Sequence, residues 1–394
     1  MRKIFISTLL FSACLPVFPA DSGLDVAAAQ DFELFRGKTV ALLANRTAVA
    51  KDGRDIVSLF SAAKGVKLAA VFSPEHGFSG RADHGETVLN SSVSACGVPI
   101  YSLYGAVKRP TWEMLKGVDA LVFDMADVGA RFYTYLTSMA YALEEADKYG
   151  IEFYVLDRPN LAGGTIVEGP VLDDSVRAFT AYLAVPLRHG FTPGEAALFH
   201  ADRLGLKAKP HVVKMKGWRR DMPYEETGLP WVNPSPNIRS ADAADIYSGI
   251  ACFEATNVSV GRGTAEPFLW IGAPWLEPEK TLAHMSSVPG VEISSATRTP
   301  EKDVLAGQKC PGLAFRVTDR AKLRAVELFV RLACALRDTG AEAFSIRWED
   351  MKRMTGNGIF EELYKTGAPP EQILAAFEEN SGPFREKRKS FLLY

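Results

Sequence analysis

Residues 66–78 read VKLAAVFSPEHGF, and the fold turns on how this stretch is read. Val66, Leu68, Ala69, Ala70, Val71 and Phe72 make a short apolar run with little alternation, the pattern of a parallel strand buried on both faces. Ser73-Pro74 stops it, because proline brings no N–H and holds the preceding residue extended. Glu75 and His76 therefore fall just beyond a strand's carboxyl end, where open α/β sheets place their ligands. Gly77 lets the backbone turn sharply. Two readings stand at this point: a functional carboxylate and imidazole, or a βα loop whose glutamate caps the next helix.

The neighbouring sequence repeats the pattern in both directions. KTVALL (38–43) reads as a first strand running into Ala44-Asn45-Arg46-Thr47, and an amphipathic helix over 55–63 leads to the strand above. A short strand at 99–103 precedes a helix capped by Thr111 and running through Lys116, with Glu113 in its first turn. ALVFD (120–124) and EFYVLD (152–157) are further buried strands, each ending on an acid, with a long helix at 133–148 between them that Gly150 terminates. Strands alternating with helices, with polar residues at strand ends, predict a doubly wound parallel sheet in an α/β fold. No G-x-G-x-x-G follows the first strand, so no dinucleotide cofactor is indicated. Residues 162–176, rich in Gly and Asp, read as loop. Thr192-Pro193-Gly194-Glu195 opens a helix to Leu204 as a capping box with proline at the first position. The proline-rich stretch 223–239, ending in PWVNPSPNIRS, reads as a boundary or strap between domains. Beyond it, a strand at 313–317 and a helix at 321–337 suggest a second, smaller α+β domain. The expected organisation is therefore 1–20, 21–238 and 239–394.

A net charge of −2 over 394 residues, with 47% hydrophobic and 23% charged residues, is ordinary for a globular protein and gives no reason to expect nucleic acid. The first segment is more telling. Arg2 and Lys3 precede the apolar run 4–13, and Pro16, Pro19 and Ala20 follow, which describes a secretory signal. Cys14 after Ser12-Ala13 also resembles a bacterial lipoprotein cysteine. Export is expected, to the periplasm or beyond, free or lipid-anchored. The remaining cysteines, Cys96, Cys252, Cys310 and Cys334, form no C-x-x-C pattern and read as buried free thiols, with one disulfide of undetermined pairing as the alternative in an oxidising compartment.

Three segments carry more polar residues than a solvated surface needs: SPEHGFSGRADHGE (73–86), DMADVGARFYTY (124–135) and FEATNVSVGRGT (253–264). Carboxylates brought from separate elements into one cleft suit glycoside hydrolysis. One protonates the leaving oxygen; a second group activates water or stabilises the oxocarbenium-like charge. Tyrosines and phenylalanines would stack on sugar faces, and an arginine could fork onto an acidic substituent. Structural alternatives accompany each: Asp124 and Asp157 as helix caps at strand ends, Asp157-Arg158 as an ion pair, Arg262 as a turn arginine closing on Glu254. His76, His84, Glu86 and Asp124 are acceptable metal ligands, but no H-E-x-x-H or H-x-H occurs, and no metal is expected. Ser61-Ala62-Ala63-Lys64 matches S-x-x-K by chance, on an ordinary helix.

Taken together, SPEHGF, the run from VFDMADVGARFYTY to LDRPN, EGP, HGFTPGE, PSPN, and TNVSVGRGT followed by PF and GAPW resemble the YbbC-like family. That family includes the NamZ exo-β-N-acetylmuramidases, glycoside hydrolase family 171. The likeness runs from about Thr39 to the final FLLY. It implies a Rossmann-like first domain, a smaller second domain and an active site between them that releases N-acetylmuramic acid from the non-reducing end of peptidoglycan fragments. No cofactor and no stable protein partner are expected. On that resemblance Glu75 is the catalytic candidate, His76 orients it or the substrate, and Glu254 is the second-domain acid. Asn45, His84, Asp124, Arg131, Tyr133, Asn257 and Arg262 are substrate-binding candidates, with Arg131 or Arg262 for the lactyl carboxylate. Ala255 departs from the E-G-T-N-V-S pattern. The rival functions are a non-catalytic wall-fragment receptor and a metal-dependent hydrolase or esterase.

Overall fold

Six strands run parallel through the first half of the chain and set the position of everything else. The computed structural model describes residues 19–394 apart from 81, 83–85, 87–90 and 93–95; the signal-like segment to residue 18, Cys14 within it, and Asp83 and His84 lie outside the described residues. The strands are β1 (Thr39–Ala44), β2 (Lys67–Ser73), β3 (Ser91–Ser92), β4 (Pro99–Ser102), β5 (Ala120–Asp124), β6 (Glu152–Leu156), β7 (Glu168–Val171), β8 (Pro186–Arg188) and β9 (His211–Val213). The main sheet has the order β3-β4-β2-β1-β5-β6-β9, parallel throughout except for β3. Strand order reverses on the two sides of β1, so the carboxyl ends of β1, β2 and β5 meet at a switch point.

The continuous apolar runs follow from burial on both faces. Leu43, Phe72, Leu121, Phe123 and Phe153 point to one side, where they pack with Leu136, Met139 and Leu143 of the Thr134–Tyr149 helix and Ala197 and Phe199 of the Pro193–Leu204 helix. Val40, Leu42, Val71, Val122 and Leu156 point to the other, against Leu24 of the Gly23–Ala29 helix and Ile56 and Phe60 of the Ile56–Ala62 helix. Successive residues alternate faces, and both faces are covered. The sheet is doubly wound, as expected. The Thr192–Glu195 capping box is present, and Gly150 ends its helix in the left-handed region at φ 69°. The helix expected to start at Thr111 is a single turn, Trp112–Leu115, with no side-chain cap. Residues 162–176 are not all loop: β7 lies there and pairs antiparallel with β8.

The second half carries a smaller antiparallel sheet of β10 (Trp270–Gly272), β11 (Val291–Arg298) and β12 (Cys310–Val317), ordered β10-β12-β11. The Ala325–Gly340 helix packs beside the Ala241–Ile250 helix. Among the contacts that bind the halves are the strap and the end of the chain. The proline-rich strap accepts Arg46 Nε on Asn233 O (3.1 Å) and Tyr135 Oη on Pro234 O (2.5 Å). The last residues of the chain return to the first sheet, where Tyr394 Oη donates to Asp157 Oδ2 (2.7 Å) and Leu393 N to Glu195 Oε1 (2.9 Å). Cys252, Cys310 and Cys334 are buried, Cys96 is exposed, and all four are free thiols. Among the described residues no helix is long and apolar enough to cross a membrane.

Candidate active site

β2 ends at Ser73, and Pro74 leads into a turn in which His76 (φ 69°) and Gly77 (φ 72°) are both left-handed. A left-handed histidine costs on the order of 1 kcal/mol and persists only where its surroundings hold it. Here Gly77 N donates to Pro74 O (3.0 Å), Ala82 N to His76 O (3.3 Å), and His76 Nδ1 lies 2.7 Å from Ala82 O. A ring nitrogen facing a carbonyl must carry the proton, so Nε2 is the acceptor of the neutral imidazole. The turn aims Glu75 inward, where it is only 4% exposed. Thr134 Oγ1, on the first residue of the Thr134–Tyr149 helix, donates to Glu75 Oε2 at 2.7 Å. The hydroxyl fixes the rotation of the carboxyl group, which stands at the positive end of a 16-residue helix. Glutamate does meet a helix N-terminus, as one sequence reading required, but it is the helix after β5 and not the next one along.

This carboxyl group lies at the edge of a cleft of about 200 Å³ between the two halves. Aromatic rings form its walls. Tyr133 meets Tyr135 edge-on at 4.7 Å and Tyr247 at 5.8 Å, and Tyr247 meets Phe268 at 4.7 Å. Burial raises the phenol pKa values of Tyr133, Tyr135 and Tyr247; for Tyr247 the charges of Glu254 and Glu75 add to the effect. All three stay neutral and can only donate or accept hydrogen bonds.

The second half supplies further lining. Glu254, on the 3₁₀ turn Ala251–Ala255, accepts Arg262 Nε at 2.6 Å, and Asp303 lies 3.6 Å from the same nitrogen. Burial opposes the Arg262 charge, but Glu254, Tyr247 and Asp303 together more than offset it, and the guanidinium pKa is raised. The turn arginine does close on Glu254. Both nevertheless line the cleft, with the Arg262 side chain 12% and the Glu254 side chain 28% exposed. Ala255 also lines it and does not have positive φ, so its methyl carries no backbone strain where the resembled pattern has glycine. Asp350, in the Trp348–Thr355 helix, bridges the N-cap residue Arg347 (2.8 Å) and Arg353 (3.2 Å), and all three line the cleft.

Five of the candidates thus converge: Glu75, His76, Tyr133, Glu254 and Arg262. Four described ones do not line this cleft. Asp124 is fully buried in an ion pair with Arg158, whose Nη2 lies 3.0 Å from Oδ2 and whose Nε also donates; burial raises the Asp124 pKa while Arg158 pulls against it. Arg131 is enclosed by three carbonyls, Pro170 O (2.7 Å), Val185 O (2.9 Å) and Met354 O (2.9 Å), and a methyl on Gly356 would strike its guanidinium. Burial lowers its pKa to about 9, which leaves it cationic at neutral pH. It staples the two halves together and does not offer itself to a lactyl carboxylate. Asn45 is buried behind Tyr135, its Oδ1 accepting Thr47 N (2.9 Å) and Oγ1 (2.7 Å). Asn257 ties its loop to Ala343 O (2.7 Å) and Ser345 N (3.0 Å). Asp157 caps the Pro193–Leu204 helix, accepting from Gly194 N and Thr192 Oγ1 (both 2.8 Å), and Arg158 pairs with Asp124 and not with its chain neighbour. Sequence reasoning passed over Tyr247, Ser235, Thr134 and the Arg347-Asp350-Arg353 set. The last has a signal, charges three residues apart on one helix.

Two carboxyl groups brought from the two halves to one cleft, an aromatic enclosure and a guanidinium inside it define a two-domain α/β protein with a saccharide-type cleft. Comparison with known proteins gives the family. The sequence model of "Exo-beta-N-acetylmuramidase NamZ, N-terminal" matches residues 40–242, and that of its C-terminal part matches 245–394. The chain belongs to the NamZ exo-β-N-acetylmuramidase family. It is 38% identical over 377 residues to the peptidoglycan β-N-acetylmuramidase NamZ of Bacillus subtilis (strain 168), covering 95% of this chain and 91% of that protein. Two crystal structures of DUF1343 family proteins from Bacteroides fragilis are also similar. One has TM-score 0.88 and 30% identity over 96% of this chain and all of that one; the other has TM-score 0.74 and 26% identity over 96% and 99%.

Proposed function

We propose that this protein is an exo-acting glycosidase that releases N-acetylmuramic acid from the non-reducing end of peptidoglycan-derived glycans. The observation that carries this reading is Glu75, buried at the cleft edge, oriented by Thr134 and sharing an aromatic-walled cleft with the Glu254–Arg262 pair. In this mechanism the Glu75 carboxyl group gives its proton to the glycosidic oxygen as the C1–O bond breaks, and Glu254 supports the positive charge that develops at C1. Water supplies the new oxygen at C1, and its proton restores the carboxyl group. Tyr247 and Phe268 present ring edges and faces to the sugar, and Arg262 is the cation available to the lactyl carboxylate. A cleft of about 200 Å³ suits one terminal sugar, which supports exo action. The basic, apolar and then small-residue N-terminus supports export, which would bring the enzyme to wall fragments outside the cytoplasm.

The test is turnover of a chromogenic β-N-acetylmuramide and of the muramic acid disaccharide. Glu75→Gln keeps the shape and the Thr134 hydrogen bond and removes the proton donor; turnover falls about 10³-fold with the melting temperature unchanged. Near-normal turnover by the folded variant overturns the assignment. Tight binding of intact disaccharide by the wild type, without cleavage, would indicate a receptor instead.

A further inference from the structure

The cleft does not stop at its carboxyl groups. A more open groove of about 460 Å³, lined by Tyr104, Lys108, Phe179, Thr180 and Arg353, shares Thr180 and Arg353 with it. The sheet brings the two together. Ser102 at the end of β4 is in register with Ser73 at the end of β2, and Leu103 N donates to Ser73 O at 2.8 Å. The segment carrying Tyr104 and Lys108 therefore leaves the sheet beside the turn that carries Glu75.

The floor is built, not incidental. The Phe179 ring lies 6.0 Å from that of Tyr104 and 5.9 Å from that of Tyr141. Tyr141 is covered by the Arg109 guanidinium at 3.8 Å, which Glu144 holds at 2.8 Å. Lys108 Nζ stands 4.7 Å above Phe179 on an exposed side chain. Among the described lining residues two are cations and none is an acid.

An exo-acting enzyme encloses the terminal sugar, and the rest of the chain must leave through the open side. In a wall glycan freed of its peptides the sugar next to the scissile bond is neutral and the one after it bears a lactyl carboxylate. We propose that this groove is the leaving-group side of the site: Phe179 and Tyr104 stack on the neutral sugar, and Lys108 with Arg353 takes the carboxylate of the acidic sugar that follows. The groove makes the enzyme prefer fragments longer than a disaccharide. This rests on the muramidase reading.

Steady-state kinetics on the muramic acid–glucosamine disaccharide and on the trisaccharide with a second muramic acid test both readings separately. Lys108→Glu raises KM for the trisaccharide about tenfold, the scale of reversing one or two exposed ion pairs, and leaves the disaccharide within twofold. The wild-type advantage for the trisaccharide shrinks at 0.5 M salt, as expected for screened charges. Phe179→Ala raises KM for both substrates with kcat retained. If Lys108→Glu changes both substrates alike, or changes neither, the groove assignment is overturned while the muramidase reading stands. Wild-type protein that cleaves neither substrate overturns both.

Discussion

Two acid–arginine pairs sit at comparable places in this molecule and do different work. Asp124 and Arg158 close on each other beneath the carboxyl ends of β5 and β6, with the acid fully buried. Glu254 and Arg262 close on each other in the wall of the cleft, with the acid 28% exposed. Both are carboxylate–guanidinium pairs, and in both the arginine Nε donates to the acid. What separates them is whether a cavity reaches the carboxylate. A pair sealed on all sides can only hold strands together, whereas one that borders a cleft can exchange a partner for a substrate.

That contrast predicts opposite failures. Glu254→Gln should lower turnover of the muramic acid disaccharide by about 10²–10³-fold with little change in unfolding midpoint. A variant that unfolds readily but works normally once folded would place Glu254 with Asp124. Asp124→Asn should do the reverse, because Arg158 is left as a buried and uncompensated charge, a loss of roughly 3–5 kcal/mol in denaturant unfolding. Activity per folded molecule should be retained, and a fall in kcat at unchanged stability would break the distinction.

Asp157, the third strand-end acid, sharpens the comparison with the smallest effect. It accepts from Gly194 N, Thr192 Oγ1, Tyr394 Oη and Arg158 N, yet burial wins and raises its pKa to about 7. The folded state therefore holds this proton more tightly than the unfolded chain does. Its contribution is complete below about pH 4 and is lost as pH rises through about 7. Thermal unfolding should show a midpoint a few degrees lower at pH 8 than at pH 5 from this group, and Asp157→Asn should flatten that slope. A slope unchanged in the variant would locate the titration elsewhere, with buried Asp245, raised to about 7 by burial, next in line.

Legibility in the sequence followed the range of the interactions. β1, β2, β5 and β6 announced themselves because a strand covered on both faces must be apolar throughout, and the Thr192–Glu195 box because a cap is contained within four residues. β7 and β8 did not, since they are short, carry Pro170 and Pro186, and exist only by pairing with each other. β9, three residues at a sheet edge, was missed for the same reason. At the site, Glu75 and His76 were readable because a strand end followed by proline and glycine is a local event. Arg131 was not, because the carbonyls that capture it come from residues 170, 185 and 354.

By itself the sequence determined the alternation of strands and helices, the polar residues at the strand ends and the family to which the motifs belong, since each is written within a few consecutive residues. Only the tertiary structure decided which acids face empty space, that Arg131 is a staple, and that the second half lends Glu254, Arg262, Arg347 and the Trp348–Thr355 helix to the cleft that Glu75 lines. A cavity has no residues of its own. It is what remains when distant segments pack imperfectly against one another, and no local periodicity encodes that.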